Sequence, residues 1–118
     1  MRTGLGVGGL LLIWALSSPA VAQTISYSPN VTLKVGQTTV IHGIRGGSGC
    51  SDPAPDWATA SATLPASTLG TFSDGGVGTR GSRSCGAVVP ARAVRFKATK
   101  KGSEALNIQG DAITVTVQ

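Results

Sequence analysis

The segment Ile113-Thr114-Val115-Thr116-Val117 alternates apolar and polar residues with a period of two, the pattern of a β-strand with one buried face. Val94–Thr99 shows the same alternation and places Arg95 and Lys97 on the outward face. Short glycine-containing turns separate both segments from a third apolar run, Ala105–Ile108. The pattern predicts a three-stranded meander with short connections.

Two further strands are predicted towards the other end of the chain. Val31–Val35 alternates with period two, and the β-branched run Thr38–Ile44 follows a turn at Gly36. The inward face of the second strand stays open, because Val40 and Ile41 point to opposite sides.

The centre of the chain is weakly patterned. Gly46–Pro55 is predicted to be a loop, and Trp57–Ala62 has period-two character with small side chains. Ser67–Phe72 is predicted as another strand, and the glycine-rich Ser73–Pro90 as a long loop. About seven short strands with turns between them favour an all-β fold, an immunoglobulin-like antiparallel β-sandwich.

Met1–Ala22 has the pattern of a secretory signal peptide. A basic Arg2 precedes the apolar run Leu10–Leu16, and Ala20-Val21-Ala22 offers a small-x-small cleavage site. The apolar run is shorter than the ~20 residues that a membrane span needs. We therefore expect a secreted or periplasmic domain over residues 23–118, with no membrane insertion after cleavage.

Cys50 and Cys85 are the only two cysteines of the chain. In an oxidising compartment two cysteines allow one intramolecular disulfide, which the chain-entropy model values at about 3–4 kcal/mol for a loop of this size. In an immunoglobulin-like strand order, both cysteines fall in loops at the same end of the sandwich. A single histidine and no Cys-x-x-Cys spacing provide too few ligands for a metal site, and we expect none.

The 10 basic residues outnumber the 5 acidic ones, and seven of them lie between Arg80 and Lys101 with no acid among them. One interpretation is a solvated face that keeps the domain soluble. The other is a surface for anionic polymers, acidic protein partners or lipid headgroups. Nucleic acid is not expected, because no aromatic cluster accompanies the charges.

The last third of the chain resembles the end of bacterial immunoglobulin-like (Big-type) domains. The resemblance rests on Arg92–Ile108, with its Lys-Gly-Ser turn, and on Ala112–Val117. Val31–Val40, in which a glycine separates two strands, is similar to the beginning of such domains. The resemblance implies an immunoglobulin-like fold, which serves adhesion, assembly and ligand binding alike.

A second resemblance is to the chagasin-type cysteine-protease inhibitors, which block papain-type active sites with three loops at one end of such a sandwich. Gly75-Gly76-Val77-Gly78 is similar to their glycine-rich loop. The chain departs from them in lacking an Asn-Pro-Thr-Thr-Gly loop. It also has Gln109-Gly110-Asp111 where an Arg-Pro-Trp loop would stand.

No arrangement of residues indicates catalysis or a cofactor, and we expect neither. His42 is the only histidine and lies inside a predicted strand, where a structural role is expected. Asp52, Asp56 and Asp74 fall in the predicted central loops, where acids most often bond nearby backbone amides.

The sequence thus predicts a small non-catalytic binding or structural module whose partner is a protein or an anionic surface polymer. Its candidate contacts are Arg80 and Arg83 at the disulfide-linked loop end. Trp57 is either a core tryptophan of a third strand or an exposed anchor for a partner. One alternative is a chagasin-like protease inhibitor that uses the same loop end. The other is an assembly subunit that pairs through Ile113–Val117 as an exposed edge strand.

Overall fold

The computed structural model describes residues 23–118, so the predicted signal peptide Met1–Ala22 lies outside the described residues. The elements, in chain order, are β1 (Gln23–Thr24), β2 (Asn30–Leu33), β3 (Thr38–Arg45), α1 (Trp57–Ser61), β4 (Gly70–Ser82), β5 (Ala87–Ala98), β6 (Gly102–Ile108) and β7 (Asp111–Val117). Over residues 23–118, no helix has the length and apolar character that crossing a membrane requires.

The strands form two sheets, which confirms the predicted all-β sandwich of seven strands. One sheet has the order β1-β4-β5-β3 and the other the order β2-β7-β6. The β3–β5, β4–β5 and β6–β7 ladders are antiparallel, whereas β1–β4 and β2–β7 are parallel. The predicted antiparallel arrangement therefore holds for the three long ladders and not for the two short ones.

The core lies between the two sheets and is built from the residues that alternate in β5 and β7. Phe96 of β5 is 0% exposed, as are Ile113 and Val115 of β7. Arg95 and Lys97 point outward and are exposed, as the alternation predicts. Burying such apolar surface contributes on the order of 25 cal/mol per Å², so these faces hold the sheets together.

The predicted meander of the last three strands is wrong. β6 and β7 form a hairpin, but β5 belongs to the other sheet, so residues 99–101 carry the chain from one layer to the other. The physical reason is that the apolar faces of β5 and β7 are buried by facing each other, not by lying side by side.

The predicted exposed edge at Ile113–Val117 is also wrong. β7 is the central strand of its sheet, because β6 pairs with it on one side and β2 on the other. The parallel pairing of Asn30–Leu33 with Thr114–Val117 occupies the second side. A further chain therefore has no free edge of β7 to pair with.

A β-bulge decides the inward face of β3, which the sequence left open. The register against β5 shifts between Val40 and His42, which makes Ile41 the extra residue. Ile41 and Ile44 are thereby both buried in the main core, whereas Val40 packs with Ile25 in a smaller cluster.

The segment Trp57–Ser61 is helical, which corrects the period-two prediction for this region. Asp56 caps the helix, because its carboxylate accepts a hydrogen bond from the Thr59 amide at 2.8 Å. The small side chains of the segment leave only Ala60 fully buried, so there is no apolar face that would hold a strand against the core.

Ser73–Pro90 is not a long loop, since most of it lies in the β4–β5 hairpin. Close packing explains Gly75 and Gly78: a Cβ at Gly75 would lie 2.9 Å from the Ala93 Cβ, and one at Gly78 would lie 2.5 Å from the Gln23 carbonyl oxygen. Gly75-Gly76-Val77-Gly78, the segment similar to the inhibitors' glycine-rich loop, lies within β4 at a second bulge.

Candidate functional site

A disulfide between Cys50 and Cys85 closes one end of the sandwich, which confirms the predicted pairing. The Cα atoms are 5.7 Å apart and the two residues are separated by 35 positions. Cys50 lies in the loop after β3 and Cys85 in the turn between β4 and β5, so the bridge ties two connections that emerge at the same end.

Arg45, the last residue of β3, organises both sides of this bridge. Its Nη1 donates to Ser82 Oγ at 3.1 Å on the β4 side. Its Nη2 donates to the Gly49 carbonyl at 3.3 Å and lies 3.6 Å from Cys85 Sγ. One guanidinium group therefore holds the Cys50 loop and the β4–β5 turn in a fixed relation.

Beside the disulfide lies an open cleft of about 1100 Å³, which we call the arginine groove. Its lining includes three arginines, one acid and two exposed apolar side chains: Arg45, Arg80, Arg83, Asp111, Tyr27 and Val88. With His42 neutral, these charges sum to +2. The groove therefore has a positive field that favours anionic groups.

The arginines of the groove differ in how they are held. Arg80 donates to the Gly43 carbonyl at 2.8 Å and lies 3.6 Å from Asp111 Oδ2, with 19% of its side chain exposed. Arg83 is exposed in the β4–β5 turn and has no hydrogen bond or ion pair from its guanidinium to the residues of 23–118. Arg83 is therefore the groove arginine whose guanidinium has no bonding partner among residues 23–118.

His42 and Asp111 connect the two sheets at one side of the groove. The imidazole Nε2 lies 2.9 Å from Asp111 Oδ2, and the ring centroid lies 5.1 Å from that of Tyr27. Burial lowers the pKa of His42, and the Arg80 charge adds to this, while the Asp111 carboxylate and the Ile108 backbone oppose it. With its side chain 1% exposed, His42 is buried at the contact between the two sheets.

Gln109 completes the contact between the sheets from the two-residue β6–β7 turn. Its Oε1 accepts from the Arg45 amide at 3.0 Å and its Nε2 donates to the Arg45 carbonyl at 3.3 Å. The side-chain amide thus takes the place of a neighbouring strand on the edge of β3. Gln109 adopts a φ of 51°, a left-handed conformation that costs a non-glycine residue free energy.

The predicted site residues do not all come together. Arg80 and Arg83 both line the arginine groove beside Cys85. Trp57 starts α1 and is partly buried against the main core, in agreement with the core interpretation, although on a helix and not on a third strand. It does not line the groove.

The basic stretch Arg80–Lys101 does not form one surface. Arg92 bonds to the Pro55 carbonyl at 2.8 Å and to Asp74 at 3.2 Å, away from the groove lining. Arg95 and Lys97 lie on the outer face of β5. The sandwich thus distributes the charges over several places and leaves two of them in the groove.

The acids of the centre bond to backbone amides, as the sequence predicts. Asp52 accepts from the Gly49 amide at 3.0 Å, and Asp74 from the Gly76 amide at 2.8 Å. The Gly76 bond and the Arg92 charge lower the pKa of Asp74, although slight burial opposes this. Residues 23–118 contain no group of three metal-ligating side chains.

Sequence reasoning missed Arg45, Tyr27 and Asp111 as groove residues. Arg45 stands five positions before Cys50, so its proximity to the bridge was a usable signal. Tyr27 and Asp111 carried no such signal, because the hydrogen bond from Tyr27 Oη to the Ala112 carbonyl at 2.6 Å joins residues 85 positions apart.

Comparisons with protein-family models, curated proteins and solved structures found no match to this chain.

Proposed function

We propose that this protein is an exported, non-catalytic binding module that receives an anionic partner in the arginine groove. The observation that carries the proposal is the Arg83 guanidinium, which lines the groove and has no hydrogen bond or ion pair among residues 23–118. Asp111, the one acid among the described lining residues, is already engaged by Arg80 and His42. A guanidinium without a bonding partner, in a groove of net positive charge, attracts and orients a negative group.

The groove also offers apolar contact area. Tyr27 is 43% exposed and Val88 is 62% exposed, and both line the cleft. Exposed apolar side chains rimmed by charged ones are typical of interaction sites, and tyrosine and arginine are enriched at binding hot spots. This mixture favours a partner that combines negative charge with some apolar surface.

The disulfide supports binding by limiting the entropy lost on association. The β4–β5 turn that carries Arg83 is bridged to the Cys50 loop, and the Arg45 guanidinium bonds on both sides of the bridge. A turn that is already ordered has less conformational freedom to lose when a partner binds.

The surroundings of His42 support a non-catalytic role. Its Nε2 lies 2.9 Å from Asp111 Oδ2 and is therefore already engaged. A general base needs a ring nitrogen within reach of the substrate proton, and this ring is 1% exposed. The Cys50–Cys85 disulfide and the predicted signal peptide together support export, since disulfides persist in oxidising compartments.

Binding of two anionic probes, heparin and poly-glutamate, tests the proposal. We expect the full domain to bind at least one of them, with affinity falling as salt rises because the contact is electrostatic. Arg83→Ala should weaken binding about 3- to 10-fold, the size expected for one charge contact. Arg95→Ala is the matched control, since it removes an exposed arginine outside the groove, and should change affinity less than 2-fold.

Fluorescence anisotropy at a series of salt concentrations measures both effects. If neither probe binds, or if Arg83→Ala and Arg95→Ala weaken binding equally, the arginine groove is not the binding site and the proposal fails.

A further inference from the structure

We infer that the partner is an acidic peptide segment in extended conformation, which adds as a strand to the edge of β4 at Gly81. The inference rests on the proposed function and names its ligand class. It depends on three features of the groove: the direction of the Gly81 backbone groups, the place where β1 leaves the sheet, and the charge around that place.

The Gly81 amide and carbonyl point away from β5. In an antiparallel pair, successive residues point their backbone groups alternately towards and away from the partner strand. Thr79 stands opposite Pro90, which has no amide hydrogen, and its carbonyl accepts from the Ile25 amide at 2.7 Å on the other side. Two positions further on, Gly81 has the same orientation, so its N–H and C=O face the groove.

The strand that covers this edge ends before it reaches Gly81. β1 pairs with β4 only at Gly78 and Thr79. Beyond Ile25 the chain turns towards the second sheet, where Tyr27 bonds to the Ala112 carbonyl at 2.6 Å. The edge of β4 from Gly81 onward is therefore unpaired among the described residues, and an added strand would continue the line that β1 begins.

The space beside Gly81 is open. Gly81 is exposed, and a Cβ placed on it would meet no heavy atom within 4 Å. Gly81 lies in β4 opposite Val88, so its backbone has the extended conformation that strand addition requires. Tyr27 and Val88 offer apolar contacts to side chains of the added strand.

Charge selects the occupant. Arg80 and Arg83 flank Gly81, so a strand paired there places its side chains within reach of two guanidinium groups. A second copy of this chain fits poorly, because its 10 basic residues outnumber its 5 acidic ones. An acidic segment of another protein complements both the groove charge and the free backbone groups.

The experiment removes one backbone donor. Gly81→Pro deletes the outward N–H and leaves the β4–β5 bonds in place, because that N–H does not face β5. Gly81→Ala is the matched control, since it adds a side chain in open space and keeps the donor. The probe is a fluorescein-labelled peptide that alternates Glu and Val over eight residues, and heparin serves as an anion without a peptide backbone.

For strand addition we expect Gly81→Pro to weaken peptide binding at least 10-fold and Gly81→Ala to change it less than 2-fold. Heparin binding should be the same in both variants. A peptide methylated on alternate amide nitrogens, so that its charge is kept and its pairing edge is blocked, should bind the unmodified protein at least 10-fold more weakly. This last measurement needs no variant and therefore holds even if Gly81→Pro fails to fold.

Two negative results are distinguishable. If the methylated and unmethylated peptides bind equally, or if heparin alone binds, strand addition is overturned while the anion-binding function stands. If neither heparin nor the peptide binds, the proposed function fails as well.

Discussion

The turns of the β4–β5 and β6–β7 hairpins both lie beside Arg45, the last residue of β3, and are attached there in different ways. The β4–β5 turn is joined to the loop after β3 by the Cys50–Cys85 bond, with Arg45 hydrogen-bonded on both sides. The β6–β7 turn is held by the Gln109 amide, which bonds to the N–H and C=O of Arg45. One attachment is covalent and the other depends on side-chain geometry.

The difference determines which hairpin can offer a binding surface. In β6–β7, Gln109 and Asp111 are both engaged inside the fold, with Arg45, Arg80 and His42. The β4–β5 turn is held by the disulfide and by a bond from the Gly86 amide to the Arg83 carbonyl at 3.3 Å. The Arg83 side chain is exposed, and among residues 23–118 its guanidinium has no hydrogen bond or ion pair. The attachments of the β4–β5 turn therefore do not use the Arg83 side chain, whereas the β6–β7 turn is attached through the Gln109 side chain.

The largest effect is expected from removing the covalent attachment. The double variant Cys50→Ser, Cys85→Ser should lower the free energy of unfolding by about 3–4 kcal/mol, because a 35-residue separation no longer restricts the unfolded chain. Urea unfolding followed by circular dichroism measures the change. The oxidised and reduced forms of the unmodified protein provide the control. A loss of free energy of unfolding below about 1 kcal/mol would contradict the view that the disulfide is the stronger of the two attachments.

A smaller effect is expected from removing the hydrogen-bonded attachment. Gln109→Ala deletes both bonds to the Arg45 backbone and should cost about 1–3 kcal/mol, since each bond is worth about 0.5–1.5 kcal/mol. Gln109→Asn separates contact from backbone strain, because asparagine tolerates a left-handed φ but is one methylene shorter. If the alanine variant unfolds at the same urea concentration as the unmodified protein, the Gln109 hydrogen bonds to Arg45 contribute nothing to stability.

The smallest effect is a dependence on pH at the contact between the sheets. Burial lowers the pKa of His42 in the fold from 6.5, so the unfolded chain binds more protons once the pH falls to about that value. The free energy of unfolding should therefore decrease as pH is lowered from 7 through 6.5, and level off below the folded-state pKa. Asp111 and Arg80 are the charged groups that face His42, and they act on this pKa in opposite directions.

Urea unfolding at intervals between pH 7.5 and pH 5 measures this slope. His42→Gln keeps a hydrogen-bonding group near Asp111 without a proton to bind, and should flatten the curve in this range. Glu104 is a separate contribution at lower pH: burial opposes its ionisation, but bonds from Ser67 and Thr68 outweigh this and lower its pKa below 4.5. An unchanged slope in His42→Gln would show that another group sets the pH dependence.

Strong alternation made parts of the fold predictable. Val115 and Phe96 lie at apolar positions of period-two runs, and both are buried. The disulfide was predictable because only Cys50 and Cys85 exist. The long β4 strand was not, because Gly75 and Gly78 contribute no apolar side chain, and the reason for each glycine is a neighbour far away in the sequence.

Of the candidate site, the sequence predicted only two things: the end of the sandwich at which it lies and two of its arginines. Arg80 and Arg83 were found because the cysteines indicate the loops that meet. The sequence could not decide the role of Trp57, because a tryptophan beside a Pro-rich loop can belong to the core or serve as an exposed anchor for a partner.

The sequence by itself determined the all-β class, the pairing of the two cysteines and the outward face of β5. The class and the face depend on local periodicity, and the pairing depends on there being only two cysteines. The tertiary structure decided which strands share a sheet, where the basic residues lie and which charge stays free. Those properties depend on contacts such as Gln109 with Arg45, 64 positions apart, which no local pattern encodes. Side-chain chemistry fixed the possible contacts, and only the packing of the two sheets selected which of them form.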